Sequence, residues 1–199
     1  MTSRNLLVLG LACCCTPALA QNVITVPIRG QPLVYMQAGE LKGCGTRIIV
    51  LDSPPTGAVA PRTVPVWDAS FNVYLEGTAV IKVGSTDVAI ADVRAGRFSG
   101  PGKPIKPAAF WFKANDTSAT NPLTGTVQGD DPSTILYFSD VDTVLSLFIA
   151  TQKHEPILVG TRRPGSKTDR IFSGAIEMSP EEFVQVRQCL AELQKRLLK

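Results

Sequence analysis

Histidine is almost missing from this chain. His154 is the only one, so a Ser or Cys nucleophile would have a single base to draw on, and a zinc site would lack its commonest ligand. Its setting, Lys153-His154-Glu155-Pro156, is that of a surface loop before a strand. The chain has no Gly-x-Ser-x-Gly elbow; Ser99, in Gly96-Arg97-Phe98-Ser99-Gly100, has the wrong spacing. Neither glycine-rich phosphate-binding pattern occurs. No catalytic residue, no metal and no cofactor is therefore expected.

Charge of one sign is scarce as well. Charged residues are 19% of the chain, they form no block, and the formal net charge is +3. Removing Arg4 with the leader described below leaves about +2, too little for whole-surface binding to nucleic acid. Long apolar runs are also missing. After the first twenty residues the best is Val144 to Ala150, whereas a membrane helix needs about 20 apolar residues. No transmembrane segment is expected there.

What is present begins with the leader. Met1 to Asn5 is polar and carries Arg4, Leu6 to Cys15 is apolar, and Ala18-Leu19-Ala20 offers a small-x-small cleavage site. Residues 1–20 have the layout of a secretory signal peptide. Cys13, Cys14 and Cys15 lack the preceding residues that a lipid-modified cysteine needs. The expected location is periplasmic or extracellular. The mature chain keeps two cysteines, Cys44 and Cys189, and an even count in an oxidising compartment implies a disulfide between them. Cys44 sits between Gly43 and Gly45, in what looks like an exposed turn.

The mature part, residues 21–199, has a length suited to one domain. Gly and Pro number 16 and 15, and they fall between short β-branched runs, which favours strands. Strands are expected at Val23–Ile28 and Leu33–Gln37, parted by an Arg29-Gly30-Gln31-Pro32 turn, and at Thr46–Leu51. Asp52 to Ala69, with four prolines, is expected as an irregular loop pinned by Trp67. Thr78–Val83 and Thr86–Val93 flank Gly84-Ser85, the pattern of a two-residue hairpin. Ala108–Lys113 and Ser133–Phe138 follow as strands, with a polar loop between. Asp140 to Gln152 reads two ways: Val141, Val144, Leu145, Phe148 and Ile149 keep helical spacing behind an N-cap at Ser139 or Asp140, which favours a helix, while the run Val144 to Ile149 would also suit a strand. Pro156–Arg162 and Arg170–Met178 form a hairpin. Ser179-Pro180-Glu181-Glu182 is a capping box opening a helix whose apolar stripe is Phe183, Val186, Leu190, Leu193 and Leu197.

The fold class expected is α+β: a mainly antiparallel β-sheet or sandwich closed by a C-terminal amphipathic helix. Two surface features stand out as candidate binding sites. Arg162, Arg163, Lys167 and Arg170 surround the hairpin tip, where guanidinium groups could grip phosphate or carboxylate. Trp111 lies between Phe110 and Phe112, with Lys103, Lys106 and Lys113 nearby, and could stack on a ligand or a partner. Asp130, Asp131, Asp140 and Asp142 lack calcium-loop spacing and suit a turn and a helix cap. Asp116-Thr117-Ser118 lacks the apolar strand that places a protease aspartate. Asn115-Asp116-Thr117 is a glycosylation sequon only in a eukaryotic secretory pathway. Together these features point to a non-enzymatic envelope or periplasmic binding or assembly module, partnered by an envelope protein or an anionic ligand. The alternative is a secreted hydrolase using Asp and Glu acid–base chemistry.

Overall fold

The computed structural model describes residues 23–52, 63–90, 92, 102–115, 117–129 and 131–197. The leader, most of the proline-rich loop, Asp116 and Asp130 lie outside them. Strands make up 52% of the structure and join into an open mixed sheet, giving a broadly α+β fold. The strands are β1 (Val23–Thr25), β2 (Ile28–Gln37), β3 (Glu40–Leu51), β4 (Thr63–Tyr74), β5 (Ala79–Ala89), β6 (Lys103–Ile105), β7 (Ala109–Ala114), β8 (Val127–Gln128), β9 (Thr134–Ser139), β10 (Pro156–Arg162) and β11 (Arg170–Glu177). The helices are α1 (Val141–Gln152) and α2 (Pro180–Leu197).

The sheet runs β7-β10-β11-β2-β3-β4-β5-β9-β8, with β1 beside β11 and β6 beside β5. Pairing is antiparallel except where β11 lies parallel to β1 and then to β2. Alternation sets the two faces. Ile48 and Val50 of β3, Trp67, Phe71 and Val73 of β4, and Ile81 and Val83 of β5 point inward and are at most 3% exposed. The sheet curls until β4 meets β7 across the core: Trp67 packs on Phe110 and Phe71 on Phe112, with centroids 6.3 and 5.4 Å apart. The stretch around Thr120 links β7, at one end of the sheet, to β9, near the other end. Thr120 N–H donates to Phe112 O at 2.8 Å, Leu123 N–H to Phe138 O at 3.0 Å, and Tyr137 Oη to Phe110 O at 3.0 Å. Those bonds occupy strand edges that would otherwise be open.

Both helices start where the sequence places them. Asp140 caps α1 by accepting from Thr143 N–H at 2.9 Å. Ser179 and Glu182 form the reciprocal capping box of α2, at 2.7 and 3.2 Å. The disulfide Cys44–Cys189 ties α2 to the middle of β3. Cys44 is not in a turn. It is 1% exposed inside a twelve-residue strand. Its flanking glycines are needed on the opposite face, where a Cβ on Gly43 or Gly45 would collide with Tyr74 and Asn72.

Three turn assignments change. Arg29–Pro32 lies within β2, and the real β2–β3 turn is Ala38-Gly39, with φ of +51° and +79°. Two consecutive positive φ values suit a tight hairpin. Gly84-Ser85 is no hairpin either: β5 runs straight through it and changes partner there, from β9 at Gly84 to β6 at Ser85. The turn between β4 and β5 contains Gly77 at φ +71°, and Tyr74 N–H bonds Thr78 O at 2.9 Å. Finally β4 begins at Thr63, inside the expected loop. Pro65 fits because Asp52 N–H bonds Pro65 O at 2.9 Å, and only the return bond, which proline cannot make, is missing. Ala38 carries a left-handed conformation that costs an alanine roughly 1 kcal/mol. Ala38→Asn should therefore raise the unfolding free energy by about 0.5–1 kcal/mol in urea titration.

Candidate functional site

The basic hairpin tip is built as expected, but each of its three arginines has a carboxylate partner. Arg162 Nε lies 2.6 Å from Asp169 Oδ1, Arg163 Nη2 lies 3.0 Å from Asp87 Oδ2, and Arg170 Nη2 lies 2.7 Å from Asp52 Oδ1. The charge concentrated in the sequence is thus neutralised in space by residues up to 118 positions away, as Asp52 is from Arg170. Lys167, at the turn, is exposed. Trp111 joins the same group. Its indole N–H donates to Asp169 Oδ2 at 2.8 Å, and its ring fills the space over Gly160, where a Cβ would have no room. Burial opposes ionisation of Asp169, yet the hydrogen bonds from Arg162 and Trp111 outweigh it and hold the carboxyl below its usual range.

Asp52 behaves in the opposite way. Burial raises its carboxyl above the ordinary value, against the pull of Arg170 and Arg163 and with help from Asp87. Asp52 and Asp87 are the converging acids an acid–base hydrolase would need, and no single feature of the sequence links them. Strand register does so: Asp52 follows β3 beside Pro65, and Pro65 pairs with Asp87. Each acid is engaged by an arginine, Asp52 by Arg170 and Asp87 by Arg163.

His154 has a structural explanation. It follows α1 at φ +54°, its N–H bonds Thr151 O at 3.2 Å, and Glu155 N–H bonds Ala150 O at 2.9 Å, which closes the helix. Its ring meets Phe183 edge-on at 4.5 Å. Among the described residues no group of three or more His, Cys, Asp or Glu is placed to hold a metal ion. No helix among them is long and apolar enough to cross a membrane. Asp131 orders its own turn, accepting from Ser133 N–H at 2.8 Å and Thr134 Oγ1 at 2.7 Å.

A polar cleft and an apolar groove lie elsewhere on the described surface. On the outer sheet face a polar cleft of about 410 Å³ is lined by Tyr35, Arg47, Asp68, Ser70, Lys82 and Asp131, among others. Arg47 grips Asp68 through two nitrogens, and Asn72 ties Tyr35 to Ser70 at 2.9 and 3.0 Å. The cleft's polar groups largely satisfy one another. The second is an apolar groove of about 600 Å³ between α1 and α2, floored by Val73. Leu145, Ile149 and Phe148 form one wall, and Leu190, Leu193 and Leu197 the other. Leu145 is 36% exposed, and Ile149 and Leu197 are 52% exposed. Arg187 stands on the rim with no carboxylate partner among the described residues. Sequence periodicity marks both apolar stripes, but reads them as core. The sheet covers only part of each: Phe148 and Leu193 are buried, while Leu145, Ile149 and Leu197 stay exposed. Comparison with protein-family models, curated proteins and solved structures finds no match to this chain.

Proposed function

We propose that the protein is an exported, non-enzymatic binding or assembly module that holds the apolar face of an amphipathic partner helix between α1 and α2. The leader and the disulfide, which belongs to oxidising compartments, support export. The groove carries the rest. Its lining spans Val141 to Gln152 on α1 and Arg187 to Leu197 on α2, about 15 Å of helix at 1.5 Å per residue, or three turns. A helix presenting apolar residues at i, i+3 or i+4, i+7 and i+11 covers about that length. Arg187 at the rim favours an acidic residue on the partner's flank. The acid–base alternative rests on Asp52 and Asp87 alone.

The test is peptide selection on the intact protein, with counter-selection on Leu145→Glu/Ile149→Glu. Both sites are exposed enough for that variant to stay folded, which circular dichroism would verify. Enriched peptides should share the three-turn apolar stripe, carry acid at one flank and bind the variant at least tenfold more weakly. An enriched set without that stripe, equal binding to the variant, or self-association of the parent that the variant abolishes would each defeat this reading.

A further inference from the structure

Four of the six buried side-chain polar atoms left without a hydrogen bond among the described residues lie together: Asp52 Oδ1, Trp67 Nε1, Ser85 Oγ and Asp87 Oδ1. The pairing of β3, β4 and β5 explains their proximity. Asp52, Pro65 and Asp87 form one row across the three strands, and Val50, Trp67 and Ser85 the next. Side chains of adjacent rows on one face stand about 7 Å apart along a strand, and neighbours across strands about 5 Å. Trp67 is fully buried, Ser85 is 2% exposed and Asp52 is 5% exposed. Arg170 Nη2 lies 2.7 Å from Asp52 Oδ1 without the alignment of a hydrogen bond, and Arg163 serves only Oδ2 of Asp87.

Buried polar groups are almost always hydrogen-bonded, so four neighbouring atoms without a hydrogen bond, one of them in an ion pair, mark a place where something else belongs. Their chemistry restricts the occupant. Trp67 can only donate, the ionised carboxylates can only accept, and Ser85 can do either. An occupant must therefore accept from the indole and donate to the acids within one small space, which hydroxyl groups do. Two aspartates against two arginines leave no net charge, so nothing there favours an ion. We propose that this inner end of the sheet is a binding site for a small neutral polyol of the saccharide class, seated between Trp67, Ser85, Asp52 and Asp87.

The two tryptophans make the test direct, since each has one indole N–H signal in ¹⁵N-resolved NMR, assigned with Trp111→Phe. Glucose, trehalose and myo-inositol would be titrated into the intact oxidised protein. At least one should shift the Trp67 signal saturably while the Trp111 signal stays put. Ser85→Ala should weaken that response about tenfold, the effect of losing one buried hydrogen bond. Leu145→Glu/Ile149→Glu should leave it unchanged, which separates this site from the helix groove. The proposal is overturned if no probe moves the Trp67 signal saturably, if both tryptophans shift in parallel, or if a high-resolution structure grown with the probes shows only water at Trp67 Nε1. If Ser85→Ala does not fold, the parent titration alone decides.

Discussion

Phe71→Ala should destabilise the protein by about 4 kcal/mol, within the usual range of 3–5 kcal/mol for deleting a buried phenylalanine. Phe71 is fully buried on β4. It meets Phe112 of β7 edge-on at 5.4 Å and Phe148 of α1 edge-on at 4.9 Å. One ring therefore joins the middle of the sheet, its far edge and the first helix. Aromatic pairs of this geometry add to the energy of burial alone, and the space left by truncation is walled by other rings that cannot collapse into it. Urea unfolding would measure the loss. A change under 2 kcal/mol would mean that the curled sheet does not depend on this contact.

Removing the disulfide comes next in size. Cys44→Ala/Cys189→Ala releases a loop of 145 residues, for which the chain-entropy model gives about 5 kcal/mol as a ceiling. Loss of 2–5 kcal/mol is expected, measured by urea unfolding of the double variant beside the oxidised parent. The link also docks α2: Val186, Cys189 and Leu193 are the buried residues of that helix, so its hold on the sheet is narrow. Protection of α2 amides from hydrogen exchange should fall further in the variant than protection of β4 and β5. Uniform loss across all three elements would show that α2 docks without help from the bridge.

The elements legible in the sequence are those whose signals are local. Ser179, Pro180 and Glu182 specify a helix start through bonds three residues apart, and Asp140 does the same for α1. Gly84-Ser85 misleads because glycine marks an exceptional backbone in general; here it marks the place where β5 changes neighbours beside Thr134. Ala38-Gly39 escapes notice because alanine is an unusual residue at positive φ. Candidate sites are harder still. Leu145 and Leu197 have the periodicity of buried residues, and only the tertiary arrangement leaves them half-exposed. Asp52, Trp67 and Ser85 have no sequence pattern in common and come together only through strand register. The arginine tip is legible, but two of its three carboxylate partners are not, since Asp52 and Asp87 precede it by more than seventy residues.

The parallel pairing of β11 with β1 and β2 bears on how the chain matures. Strands β2 to β5 are consecutive antiparallel neighbours and can assemble as soon as they exist. The free side of β2 has to wait for β11, which comes more than 130 residues later in the chain. Non-local pairing of this kind is slow and leaves intermediates prone to aggregate. During synthesis the half-built sheet would present an unsatisfied strand to any similar strand nearby. A holding chaperone, or threading in the unfolded state, would keep that strand from the wrong neighbour until the C-terminal hairpin arrives.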